Sequence, residues 1–150
     1  MGIQDYVTEA VIIPDLKGKN KFQVIEELLE PLIAEKNVKN RDTCLEALIE
    51  REEYLSTGLE NGLAVPHAKT AAAEEMAVSF GLCKSGLDFN SSDGKPTHFV
   101  FLVVSPLDTS GPHLQILAQI SRNLREPEIR QKLLEGKSSA EILNIIHHFK

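Results

Sequence analysis

Six consecutive apolar residues, Phe99-Val100-Phe101-Leu102-Val103-Val104, constrain this chain more than any other feature. They are mostly β-branched or aromatic, and neither alternating face carries a polar group. Such a strand has to be covered on both sides, which predicts a central strand with helices packed above and below it. The run is also far short of the ~20 residues that a membrane-spanning helix needs.

The rest of the chain supplies the covering layers. A chain of 150 residues, 42% hydrophobic, buries roughly 70% of its unfolded surface, enough for one layered core. Residues 10–13, ending at Pro14, read as a short strand. Over residues 20–36, Phe22, Ile25, Leu29 and Leu32 fall three and four apart and predict a helix, with a kink or break at Pro31. A second helix is expected over 41–54, capped by Asn40 or Asp42, with Leu45, Leu48 and Ile49 inward. Ser56-Thr57-Gly58-Leu59-Glu60-Asn61-Gly62 is turn chemistry, with Asn-Gly free to take positive φ. Residues 63–66 read as a brief strand ending at Pro66. Val78, Phe80 and Leu82 alternate with smaller residues, as in a strand with one face buried more deeply. After Ser110-Gly111-Pro112 a helix carries Leu114, Leu117, Ile120 and Leu124. Pro127 opens another that ends near Gly136. Ser138 and Glu141 form a capping box before Ile142, Ile145 and Ile146. No repeat or linker divides the chain, so the expectation is one α/β layered domain over residues 1–150.

Charge and cysteine usage narrow the function. Sixteen basic against twenty-two acidic side chains give −6, without a basic stretch, which argues against nucleic acid as a partner. Cys44 and Cys83 form no zinc or CxxC spacing and read as buried thiols. Asp5, Glu9 and Asp15 precede any lysine, the reverse of a signal peptide. Gly2 is followed by Tyr6 where a myristoylation signal needs Ser or Thr. These features point to the cytoplasm.

His67 stands out among the candidate chemical groups. It follows Pro66 at a strand end, where α/β domains place binding groups, and the proline restricts its backbone. His113 falls in the first turn of a helix, where free amides and the helix dipole favour an anion. It fits a half-exposed helix residue as well. Arg51, within Glu50-Arg51-Glu52-Glu53, fits a solvated charge run when read alone. His98 reads as an edge or core histidine. His147 and His148, being adjacent, point apart on a helix and suit a metal poorly. The Gly58…Gly62 loop lacks the Lys-Ser/Thr of a nucleotide P-loop.

Together, Arg51-Glu52, Ser56-Thr57-Gly58, Gly62-Leu63-Ala64-Val65-Pro66-His67 and Gly111-Pro112-His113-Leu114 form a recognisable pattern. It resembles enzyme IIA of the fructose–mannitol class in the phosphoenolpyruvate-dependent phosphotransferase system. The likeness covers nearly the whole chain, and Gly-x-Ala-Val-Pro-His is its most specific part. It implies a mixed β-sheet flanked by helices on both faces. It implies His67 as the phosphorylated nucleophile, His113 as a contact to the phosphoryl group, Arg51 as electrostatic support, and Thr57 near the site. It further implies phosphate received from an HPr-type histidine phosphocarrier and delivered to enzyme IIB. In the nitrogen-regulatory branch, the targets would be regulatory proteins instead. A membrane would be met only through a permease partner.

The residue chemistry agrees with that expectation. A histidine near its ordinary pKa of ~6.5 is largely neutral at cytoplasmic pH and offers one ring nitrogen as a nucleophile. Phosphoryl transfer needs positioning and charge stabilisation, and a phosphohistidine donor calls for no metal or cofactor. A third possibility, a metal-dependent hydrolase using His67, His113 and Asp108, predicts bound zinc.

Overall fold

The computed structural model describes residues 2–150. Among these, one mixed sheet contains β1 (Ile12–Ile13), β2 (Leu63–Ala64), β3 (His67–Lys69), β4 (Ala77–Leu87) and β5 (Thr97–Ser105). The apolar run forms the body of β5, in which every residue but His98 is buried. β4 runs antiparallel along one edge of β5. On the other edge β2 and then β3 run parallel to it, and β1 closes the far side of β4.

The helices are α1 (Lys21–Ala34), α2 (Arg41–Tyr54), α3 (Gly111–Leu124), α4 (Pro127–Glu135) and α5 (Ser139–His147). Layers lie on both faces of the sheet. Ser79 of β4 donates its hydroxyl to Leu28 O of α1 at 2.8 Å, so α1 lies on that side. Phe80 and Phe101 stack across β4 and β5 toward the opposite side, where Phe101 meets Phe149 beyond α5. β4 is buried on both faces from Ala77 to Cys83, where its alternation suggested one face buried more deeply than the other. Ser79 and Gly81 present little bulk, which lets α1 and Leu16 approach closely.

Several local expectations are corrected. Only Ile12 and Ile13 pair with the sheet, against Phe80 and Gly81; residues 9–11 form a 3₁₀ turn. Pro31 does not break α1, which continues to Ala34. A proline inside a helix costs about 3 kcal/mol relative to alanine, and burial of Leu28, Leu29 and Leu32 on either side of it offsets that. The inward stripe of α1 is Val24, Ile25, Leu28, Leu29 and Leu32, with Phe22 only half-buried. Asn40, not Asp42, caps α2, accepting from Thr43 N. The buried stripe of α2 is Cys44, Leu48 and Glu52, with Leu45 and Ile49 half-buried. In α3 the inward face carries His113, Ile116, Gln119, Ile120, Asn123 and Leu124, and Leu114 is 64% exposed. Two polar residues can face inward because the chain ends meet them. Ile3 N donates to Gln119 Oε1 at 2.7 Å, and Lys150 N donates to Asn123 Oδ1 at 3.0 Å.

The edge of β5 is the feature that builds the site. β2 and β3 share one register against it, from Leu63 opposite Phe99 to Lys69 opposite Ser105. They are one strand interrupted at Val65-Pro66, because proline has no N–H to give the ladder. The strand therefore does not end at Pro66; it resumes at His67. Val103 N donates to Pro66 O at 3.0 Å and holds the restart in place. Upstream, Asn61 (φ 64°) and Gly62 (φ 74°) make the turn that delivers the chain to this edge.

Candidate functional site

His67 opens β3 and lines a groove of about 670 Å³ where α2, β3 and α3 meet. Its Nδ1 lies 2.8 Å from Val65 O. A carbonyl only accepts, so Nδ1 carries the proton and Nε2 keeps its lone pair. Burial, with a smaller push from the Arg51 charge, lowers the His67 pKa below its ordinary value, against the raising effects of the Val65 bond and Glu52. The ring is neutral at pH 7, as a nitrogen nucleophile must be.

Val65 is itself held through its N–H. Val65 N donates to Thr57 O at 3.1 Å. Thr57 is buried and gives both its N–H (3.0 Å) and its hydroxyl (2.5 Å) to the Glu52 carboxylate. Lys21 Nζ reaches the same carboxylate at 3.2 Å. Thr57 thus touches neither imidazole by hydrogen bond; it meets His67 only through Val65. Glu52, one residue beyond Arg51 on α2, is 1% exposed and is the buried anchor of this chain of contacts.

His113 is the third residue of α3 and is buried, not half-exposed. Its ring centroid stands 5.4 Å from that of His67, tilted by 59°. Nδ1 lies 2.6 Å from Ser105 Oγ at the end of β5. Burial, reinforced by the His67 and Lys69 charges, pushes its pKa down to about 4. Arg51 lines the same groove near the end of α2, where its guanidinium donates to Leu55 O at 2.7 Å. His67, His113 and Arg51, far apart in sequence, are therefore brought to one groove.

Other groove residues were not singled out by sequence. Lys69 contributes a second cation, Ser105 contacts His113, and Tyr54 and Leu114 add exposed apolar rim. Lys69 had a usable signal: residues two apart share one face of a strand, so a strand at 67–69 puts it beside His67. Ser105 had none, because its link to His113 is tertiary.

The remaining histidines lie elsewhere. His98 Nδ1 pairs with Cys83 O at 3.0 Å, His147 Nε2 with Val7 O at 3.3 Å, and His148 Nδ1 with Asn144 O at 2.7 Å. Asp108 is exposed before α3, and among the described residues no three His, Cys, Asp or Glu side chains gather as a metal-ligand set. Cys44 and Cys83 are buried and free. A larger hollow of about 920 Å³ lies between α3, α4 and α5, but its charges are mixed and neither His67 nor His113 lines it.

Known proteins are similar to this chain over most of its length. The fructose-specific EIIABC component of Bacillus subtilis is 37% identical over 147 residues, covering 98% of this chain. This chain spans 23% of that relative's length. A nitrogen regulatory protein of Bradyrhizobium diazoefficiens is 34% identical over 146 residues, 97% of this chain and 95% of the relative. The nitrogen regulatory protein IIA-Ntr of Neisseria meningitidis has the same fold, with a TM-score of 0.88 and 26% identity over 96% of this chain and 98% of that one. Residues 5–149, which contain both groove histidines and every strand and helix of the layered core, match the model of the EIIA 2 family. By that match this chain belongs to the phosphoenolpyruvate-dependent sugar phosphotransferase system EIIA 2 family.

Proposed function

We propose that this protein is a phosphocarrier, acting as one enzyme IIA domain over residues 1–150. In this reading it accepts a phosphoryl group on Nε2 of His67 from an HPr-type phosphohistidine and passes it to an enzyme IIB-type acceptor. The observation that carries this is the 2.8 Å contact from His67 Nδ1 to Val65 O, which leaves Nε2 as the free lone pair in the groove. The His67 lone pair forms the new N–P bond as the donor's P–N bond breaks. The electron pair of the broken bond returns to the donor ring nitrogen, and the proton on His67 Nδ1 stays where the carbonyl holds it. Transfer to the next carrier runs the same exchange in the opposite sense.

The neighbouring groups stabilise charge rather than bonds. Arg51 and Lys69 put two cations around the phosphoryl oxygens, and His113 offers a ring edge beside them. Thr57 acts at one remove, by accepting the Val65 N–H. The donor is already a reactive phosphohistidine, so the exchange needs no metal and no nucleotide. Tyr54 (85% exposed) and Leu114 ring the groove with apolar surface suited to sealing it against a protein partner. The protein works in the cytoplasm and meets a membrane only through a permease partner.

A second reading keeps the same chemistry and changes the use: phosphorylation of His67 switches contacts with regulatory proteins. It is favoured by the 34% identity to the Bradyrhizobium diazoefficiens nitrogen regulatory protein. One experiment addresses the shared chemistry and then separates the uses. Enzyme I, HPr and phosphoenolpyruvate should load one acid-labile, base-stable phosphoryl group. Discharge to an added enzyme IIB favours sugar transport; retention of the group, with altered capture of a regulatory partner, favours control. Failure to load at all would sink both readings.

A further inference from the structure

We propose that Ser105 is a positioning residue that fixes His113 as an N–H donor and so keeps it from competing with His67 for the phosphoryl group. The proposal rests on the phosphocarrier reading and concerns the one groove contact that reading leaves unused. Ser105 is fully buried at the end of β5, and its Oγ lies 2.6 Å from His113 Nδ1. Two proton arrangements fit that distance. If Nδ1–H donated to the hydroxyl, the Ser105 proton would need its own acceptor, and among the described residues Oγ has no other hydrogen-bond partner. A buried hydroxyl without an acceptor is unfavourable. If Ser105 instead donates to Nδ1, both groups are satisfied and the ring's proton sits on Nε2.

The two groove histidines then have opposite tautomers for opposite reasons. His67 Nδ1 faces a carbonyl that can only accept, which frees Nε2 as a lone pair. His113 Nδ1 faces a hydroxyl that has to donate, which makes Nε2 an N–H. With their centroids 5.4 Å apart, one ring holds the phosphoryl group and the other gives a hydrogen bond to its oxygens. Ser105 is well placed to enforce this. Its own carbonyl accepts from Thr70 N at 2.8 Å, so one residue ties the end of the His67 strand to the first turn of α3.

The test joins a spectroscopic and a kinetic measurement. Long-range proton–nitrogen NMR of ring-labelled native protein should find His113 Nδ1 unprotonated and Nε2 protonated at pH 7. Finding the proton on Nδ1 overturns the proposal. Phosphoryl transfer from phospho-HPr should slow by about five- to tenfold in Ser105→Ala, in the maximal rate more than in the apparent KM for the donor, because Ser105 is fully buried and offers a docked partner no surface. Ser105→Thr, which keeps the hydroxyl, should recover most of the loss. Native-like transfer by Ser105→Ala overturns the proposal, as does an equal loss in Ser105→Thr with its fold intact. If Ser105→Ala does not fold, the NMR of the native protein and the rate of Ser105→Thr decide alone. Should the native protein itself accept no phosphate, the phosphocarrier reading fails, while the NMR result still judges the role of Ser105.

Discussion

The two sides of the groove hold their histidines by different means. On the sheet side, the protein's backbone sets the His67 ring through Val65 O, and Val65 is held through its N–H by Thr57, which Glu52 anchors. On the helix side, a single side chain, Ser105, meets the His113 ring. A backbone acceptor cannot be removed by substituting Val65, whereas a hydroxyl can be removed in one step. The difference teaches where robustness lies: the His67 tautomer is set by a backbone acceptor beside Pro66, and in our proposal the His113 tautomer hangs on Ser105 alone.

The largest expected effect breaks the sheet side. His67→Ala should accept no phosphoryl group from phospho-HPr, read as the loss of acid-labile label, and it should remain folded because His67 is only half-buried. Normal loading of that variant would move the nucleophile elsewhere. Next, on the helix side, His113→Ala should still load, more slowly by about ten- to a hundredfold, the cost of one lost donor to a charged group. His113→Gln, which keeps an N–H, should recover part of that rate in rapid-quench transfer. Equal and native rates in both would make His113 a bystander.

The brace behind His67 sharpens the comparison further. Glu52→Ala removes the acceptor for Thr57 N–H and hydroxyl and leaves Lys21 unpaired. Breaking a buried pair from one side costs roughly 3 kcal/mol or more, measurable by urea unfolding. Transfer should fall as well, since the Thr57 that holds Val65 loses its anchor. A change of stability with native transfer would detach the brace from the chemistry.

Titration acts on stability rather than on transfer, and both rings contribute to it. His113 stays neutral in the folded protein down to about pH 4, while the unfolded chain takes up a proton near 6.5. Between those values the unfolded state binds more protons, so stability is full above about 6.5 and is lost as the pH falls toward 4. The loss is up to about 3 kcal/mol. His67, also lowered by burial, adds in the same direction. Urea midpoints of native protein and His113→Gln should therefore diverge on acidification, with the native protein losing more. Parallel curves would remove the His113 contribution.

What could be read from the chain follows the range of the interactions. β5 was legible because six apolar, mostly β-branched or aromatic residues in a row read as a doubly covered strand, and α2 because its N-terminal cap is local. His67 was evident because Pro66 and the preceding turn mark it within a few residues. The restart of the strand at His67 was not, since proline reads locally as a stop and only the ladder to Val103 carries the chain past it. That misreading also hid Lys69. The α3 face was misjudged because Gln119 and Asn123 are buried against the chain ends, whose approach no local pattern announces. Ser105 carried no local signal, because its contact with His113 exists only in three dimensions.

The central claim is that the groove holds one nucleophilic nitrogen, Nε2 of His67, opposite a histidine that only donates. Phosphorus–nitrogen coupling in ring-labelled protein, loaded with phosphoenolpyruvate, enzyme I and HPr, tests it most directly. The account predicts a single phosphoryl group bonded to Nε2 of His67, with the proton retained on Nδ1. A phosphoryl group on Nδ1 of His67, or on either nitrogen of His113, would contradict it.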